Sequence, residues 1–290
     1  KRWKDKNLSL SVNVSNKQDL MSKNKVNISS SFYQAPTSLS SSITENNSTL
    51  PSLNFRVGRR NLFNNNNLSF LNNIQWDFNS RILNNSKNFY RSVEVINEEG
   101  ISNYQWEADE DGNSITSNQN DAMLKNKLSI NAPFTVFKYI AVNPNLSINS
   151  DFVNRYQEAI ANDQNEIELS TVDSFKNRTT SNLGISISTK VYGILPLSIR
   201  NIQSIRHVMT PKIGFSYSPN YLKNDNYFQE FNDEYYDYFS GTLIGSTPRV
   251  SSKKINISLG NVFQAKQLKD DNEEKIDLFS LRMNTGYDLN

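Results

Sequence analysis

Apolar and polar residues alternate along this chain with a period of two, the spacing that sends apolar side chains to one face of a β-strand and polar ones to the other. Near the start, Leu8, Leu10, Val12 and Val14 alternate with Ser9, Ser11, Asn13 and Ser15. Ile74, Trp76 and Phe78 do so among Asn73, Gln75, Asp77 and Asn79, and Val142, Leu146 and Ile148 among Asn143, Asn145, Ser147 and Asn149. Leu183, Ile185, Ile187 and Val191 are set against Ser186, Ser188 and Lys190. Ile213, Phe215 and Tyr217 are set against Lys212, Gly214 and Ser216, and Ile255, Ile257 and Leu259 against Asn256 and Ser258. Phe279, Leu281, Met283, Tyr287 and Leu289 carry the pattern to the terminus.

With weaker segments included, the pattern predicts about ten strands of roughly 9–16 residues, long enough to cross a bilayer while tilted. Compact connections are expected near 16–24, 59–67, 135–138, 196–203 and 263–277, and long ones near 35–49, 84–123, 151–179 and 218–253. Strict alternation of short and long connections is what a bacterial barrel requires, with short periplasmic turns and long extracellular loops. The expected fold class is therefore all-β, an antiparallel transmembrane β-barrel, with residues 1–290 forming part of one barrel domain. Closure is expected to need strands beyond both ends. Aromatic residues near predicted strand ends, Phe32, Tyr33, Phe89, Tyr90, Tyr139 and Phe152, fit an interfacial girdle. Pro144 and Pro211 fall inside strand patterns, where a missing ladder donor predicts a local bulge.

Composition narrows the alternatives. The chain is 36% hydrophobic, too little for a thick apolar core, yet its 16 Phe and 13 Tyr argue against disorder. It has no Cys, which excludes disulfides, thiolate zinc sites and cysteine nucleophiles within these residues. A net charge of +2 with dispersed Lys and Arg gives no nucleic-acid footprint. No apolar run approaches the roughly 20 residues of a spanning helix, and no signal-peptide pattern opens the chain at Lys1, so a membrane role implies a barrel cut from a longer precursor.

The segment Ser204 to Tyr221, carrying Arg206-His207-Val208, Thr210-Pro211, Phe215-Ser216-Tyr217 and Pro219, resembles a signature of the LptD family, in its Bacteroidota-like branch. Thr189-Lys190-Val191-Tyr192-Gly193 upstream and Asn261-Val262-Phe263-Gln264-Ala265-Lys266 downstream are similar to that family's flanking strands. The resemblance implies an outer-membrane translocon component that assembles lipopolysaccharide into the outer leaflet. Its implied partners are lipopolysaccharide, outer-membrane lipid, an LptE-like plug lipoprotein and periplasmic Lpt bridge proteins docking on an N-terminal jellyroll, a domain not recognisable in this chain. It implies no enzyme activity and no cofactor. Another outer-membrane barrel, such as a porin or uptake receptor, and a surface β-sandwich adhesin remain alternatives.

Candidate chemistry is sparse. His207 is the only histidine, so a His-based metal site or a Ser-His-acid triad would depend on it alone. A hydrogen-bonded turn or strand-start role fits it better, and no catalytic residue or metal ligand is assigned. Arg206, His207, Thr210, Pro211, Phe215, Tyr217 and Pro219 are read as structural motif residues. Asp109, Glu110 and Asp111 read as a solvated loop. Asp233, Glu234 and Asp237, among Tyr235, Tyr236 and Tyr238, are candidates to approach head groups through bridging cations. The polar strand faces are the expected functional surface: Ser9, Ser11, Asn13, Asn143, Asn145, Ser186, Ser188 and Lys190 would line a wet lumen.

Overall fold

The structure is a computed structural model that describes residues 2–3, 7–63, 71–97, 101–162, 167–199, 202–269 and 272–289. The alternating segments pair in chain order into one antiparallel sheet. Its strands are β1 (Arg2–Trp3), β2 (Leu8–Gln18), β3 (Ser42–Asn61), β4 (Gln75–Ile96), β5 (Ser102–Trp106), β6 (Ser117–Asn131), β7 (Phe134–Val136) and β8 (Ile140–Val153). A separate hairpin follows, β9 (Tyr156–Ala161) with β10 (Ile167–Val172). The main sheet resumes with β11 (Lys176–Thr189), β12 (Val191–Ile199) and β13 (Ile202–Ser218). A small hairpin, β14 (Phe228–Phe231) with β15 (Glu234–Asp237), precedes β16 (Ser252–Lys269) and β17 (Asn272–Asp288).

Hydrogen-bonded neighbours run β1-β2-β3-β4-β6-β8-β11-β13-β16-β17, an up-and-down meander with β5, β7 and β12 as short extensions beside it. The sheet is open: among the described residues β1 and β17 do not meet, so the expected antiparallel all-β class is present and closure into a barrel is not. A short α-helix, α1 (Ser22–Val26), lies in the first long connection.

Connections at 137–139 and between β12–β13 and β16–β17 are tight, whereas 19–41, 97–116, 154–175 and 219–251 are long and lie together at the opposite end of the strands. The compact connection expected near 59–67 falls in 62–74, where residues 64–70 lie outside those described. The predicted compact turn at 16–24 and long loop at 35–49 are corrected: 19–41 is a single long connection, because Ser22–Val26 turns helical instead of extending a strand. Much of 84–123 and 263–277 is strand, since β4 runs on to Ile96 and β16 and β17 pair until Lys269 meets Asn272.

The prolines do not create bulges in the hairpins that hold them. Asn131 faces Asn145 and Phe134 faces Val142, so register is kept across the gap opposite Pro144, where the Ala132 N–H bonds the Pro144 carbonyl at 3.1 Å. Ser188 faces Lys212 and Val191 faces Met209, so β11 and β12 are one strand whose ladder lapses opposite Thr210 and Pro211. The missing proline donor removes a hydrogen bond but adds no residue.

Direct partners therefore stay on one face across many strands. The apolar face carries rows such as Leu8, Val57, Phe78, Leu128 and Ile148, and Ile187, Ile213 and Ile257. No second layer covers it: Ile185 and Ile187 remain 38% and 44% exposed. Val57, Val142 and Ala265 are buried singly on the strands, and the two clusters of buried residues sit at the long-loop end. One cluster joins Val26, Tyr90 and Trp106, with Tyr33 and Ile43 against it, and there the Trp106 indole N–H donates to the Gln34 carbonyl at 2.8 Å. Tyr33 and Tyr90, expected in a girdle, are packing residues of this loop cluster.

Candidate functional site

The polar face is built by the same register that builds the apolar one. Asn143 on β8 faces Ser186 on β11, then Gly214 on β13, Asn256 on β16 and Gly286 on β17. In the next row Asn145 faces Gly184, then Ser216. Together they floor a trough of about 700 Å³ made of amides, hydroxyls and glycines. The glycines keep it smooth: a Cβ at Gly184 would come within 2.8 Å of the Asn145 amide, which lies over it, and one at Gly286 within 3.1 Å of Asn256 Oδ1. Lys212 also lines it, so the surface offers many weak hydrogen-bond donors and acceptors and one cation.

Of the residues expected to face a lumen, Asn143, Asn145 and Ser186 meet in this trough, and Ser188 is one row farther along, facing Ala141. Lys190 falls at the lapse between β11 and β12. Ser9, Ser11 and Asn13 share the polar face, through partners Arg56, Asn54 and Ser52, but stand at the far rim on β2 and are not brought to the others.

The motif residues divide between faces along β13. Arg206 and Thr210 lie on the polar face, and His207, Pro211, Phe215 and Tyr217 on the apolar one, with Pro219 just past the strand. His207 is mid-strand, contrary to the strand-start expectation. Its ring stacks on Phe263 at 4.2 Å, Phe263 stacks on Phe279 at 4.4 Å, and its Nε2 is 2.9 Å from Asn261 Oδ1. That is a cross-strand aromatic ladder, and among the described residues no group of three His, Asp or Glu side chains converges on a metal-binding geometry.

Sequence reasoning missed the largest feature. The 219–251 connection, read as an exposed loop, folds back over the polar face of β6, β8 and β11. Met123 and Val153, at polar-face positions on β6 and β8, form a buried core with Tyr227, Phe228, Phe239 and Ile244. Met123 and Val153 are out of phase with their strands' alternation, beside Leu124 and Phe152, and that phase error was the available signal.

A buried polar network fixes this loop. Arg178 and Asp151 pair at 3.2 Å with side chains only 6% and 9% exposed. Arg178 also donates to the Gly245 carbonyl and to Thr247 Oγ1, both at 2.9 Å, and lies over the Phe239 ring. Asp237 accepts from the Thr247 hydroxyl at 2.9 Å and the Phe239 N–H at 3.0 Å. The Tyr227 hydroxyl accepts from the Thr179 N–H at 2.8 Å and donates to the Thr179 carbonyl at 2.9 Å, while the Tyr221 hydroxyl accepts from the Ser181 N–H at 2.7 Å. These satisfy the edge of β11 where β13 has ended. Lys176 lies over the rings of Tyr238 and Tyr156.

The acidic trio proposed to approach cations is dispersed. Asn232 and Asp233, both at positive φ, make the two-residue turn between β14 and β15, Glu234 accepts from the Tyr236 hydroxyl at 2.7 Å, and Asp237 is buried in the network above.

The family model described as LptD protein matches residues 1–290. The chain belongs to the LptD family. Membership makes lipopolysaccharide transport and assembly at the outer membrane its functional class. No helix among the described residues is long and apolar enough to span a membrane. No curated protein and no solved structure matches the chain. The LptD-family assignment therefore rests on the family model.

Proposed function

We propose that this chain forms part of the wall of a transmembrane β-barrel that passes lipopolysaccharide to the outer leaflet, with the apolar face against lipid and the polar trough facing the passage. The observation that carries this reading is the two-faced sheet itself. Its apolar face runs from β2 to β17 with no second sheet over it among the described residues, and the connections 19–41, 97–116, 154–175 and 219–251 lie at one end. A β-sandwich adhesin would bury that face in a second sheet. The trough, lined mostly by amides and hydroxyls with Lys212 among them, fits the saccharide part of the glycolipid, and the 219–251 loop narrows the passage at the long-loop end. Further strands close the barrel. An LptE-like plug, Lpt bridge proteins and the Bacteroidota-like branch follow from the motif resemblance alone.

The test is cysteine labelling in outer-membrane vesicles of the parent protein, at Ile185 and Ile187 against Ser186 and Ser188, with lipid-phase and water-phase reagents. The first pair should react only from lipid and the second only from water, and depletion of the protein should remove lipopolysaccharide from the cell surface. Resistance of both isoleucines to the lipid-phase reagent would mean that protein covers them and would end the barrel reading. A porin or uptake receptor would label identically but leave surface lipopolysaccharide intact on depletion.

A further inference from the structure

Lys212, the cation inside the trough, is surrounded by hydroxyls and amides. It faces Ser188 on one side and Ser258 on the other, and Ser258 in turn faces Asn284. One row nearer the tight turns Thr210 faces Gly260, which faces Arg282, and Lys190 takes the register position opposite Thr210 where the ladder lapses. Lys190, Lys212 and Arg282 thus stand in two adjacent rows of the polar face, and all three are exposed. Among the described residues none of them makes an ion pair. The acids of this face are engaged elsewhere. Asp277, toward the tight turns, accepts the Gln264 amide at 2.7 Å, and Asp288, toward the long loops, pairs with Lys254 at 3.9 Å.

The floor between these cations is glycine where crowding does not require it. A Cβ on Gly260 would lie 3.9 Å from Thr210, and one on Gly214 would lie 3.9 Å from the Asn256 and Ile185 carbonyls, both ordinary contacts. Register runs without a shift through both positions, so neither glycine serves a bulge. A glycine of this kind leaves strand backbone open to the close approach of a ligand. From strand spacing and rise, the backbones of Lys212 and Arg282 are roughly 12 Å apart, a span that two long side chains close over one anionic group. An oxyanion between them relieves the repulsion of neighbouring like charges and takes charge-assisted hydrogen bonds from each. The Ser188 and Ser258 hydroxyls beside Lys212 both donate and accept, as the hydroxyls of a sugar require.

We propose that this end of the trough is a binding subsite for an anionic sugar. Its phosphoryl or carboxylate oxygens meet Lys212 and Arg282, with Lys190 beside them, and its hydroxyls bond Ser188 and Ser258. The subsite rests on the proposed transport reading and gives the passage a preference for charged over neutral sugar units.

A photocrosslinking residue placed at Asn284, and separately at Asn145 on the far side of the trough, in the parent protein within its native membrane tests this. The Asn284 probe should capture lipopolysaccharide. Capture there should fall about tenfold, or ~1.4 kcal/mol, in the Lys212→Gln, Arg282→Gln pair, and the Lys212→Arg, Arg282→Lys pair should retain it. Capture at Asn145 should stay at the wild-type level in both pairs, which also shows that the wall is assembled. Glycolipid stripped of its phosphoryl groups, and glycolipid with its carboxylates amidated, identify the anion: one treatment or both should reproduce the loss at Asn284. Capture indifferent to the cations, or to both treatments, would overturn the subsite. An equal fall at Asn145 and Asn284 would overturn it too, because a general defect of the wall produces that result. Glycolipid captured at Asn145 but never at Asn284 refutes the subsite and leaves the transport reading standing, whereas capture at neither position refutes both.

Discussion

The buried pair Arg178–Asp151 should decide whether the 219–251 loop stays on the polar face. Replacing Arg178 with Met keeps much of the volume over Phe239 but removes the donors to the Ile244 and Gly245 carbonyls and to Thr247. It also strands the Asp151 carboxylate in a site where its side chain is 9% exposed. Breaking a buried pair from one side costs about 3–5 kcal/mol, most of it the desolvated charge left behind. If that cost falls on local opening of the loop, the open population rises roughly a hundredfold or more. Hydrogen exchange of the amides of Phe239 and Thr247 in the parent protein would read it, with limited proteolysis near Gly241 and Gly245 as the check. The double variant Arg178→Met, Asp151→Leu should recover most of the protection, because two apolar groups of similar volume leave no orphaned charge. Exchange in Arg178→Met within about twofold of wild type would refute the latch, and so would a double variant as open as the single one.

Three further outcomes are expected. Tyr227→Phe removes one hydroxyl that serves both the N–H and the carbonyl of Thr179, and should loosen the same loop by about 1–3 kcal/mol in exchange experiments. Ile187→Arg, on the apolar face, should cost about 2–4 kcal/mol in a barrel refolding titration, against little for Ser186→Arg on the polar face. Glu107 is held below the usual carboxylate range by its hydrogen bonds to Arg91, and Asp19 by the one from Lys25. Both folded values lie below the unfolded ones, so their stabilisation of the Trp106 loop cluster is full above the ordinary carboxylate pKa and is lost as pH falls through the lowered ones. Trp106 fluorescence, read in a Trp3→Phe, Trp76→Phe background, should hold on mild acidification and change only below that range. A transition centred near or above the ordinary carboxylate value would contradict the lowered carboxylates.

The strands and their faces were legible because register in a two-faced sheet is carried by local alternation: Ile185, Ser186 and Ile187 announce their sides without knowledge of their neighbours. The grouping of Asn143, Asn145 and Ser186 followed from the same parity. What alternation could not convey was which strand stands beside which at what height, so Ser9, Ser11 and Asn13 were placed with residues several strands away. The 219–251 segment was misread because its turn-rich, acidic composition is that of a solvated loop. Its burial depends on Met123 and Val153, contributed by strands about a hundred residues earlier. His207 was misjudged for a similar reason, since its ring partner Phe263 and its amide partner Asn261 come from another strand. Local pattern encodes secondary structure and sidedness, whereas docking depends on contacts that are long in sequence.

The seat of the 219–251 loop also ties two distant stretches of the chain to one another. Lys125 reaches the Ile244 carbonyl across 119 residues of chain, and the loop's hydrophobic partners lie on β6 and β8. A substitution that disturbs the pairing of those two strands therefore reaches the loop as well, because Met123 and Val153, the residues it covers, are direct cross-strand partners.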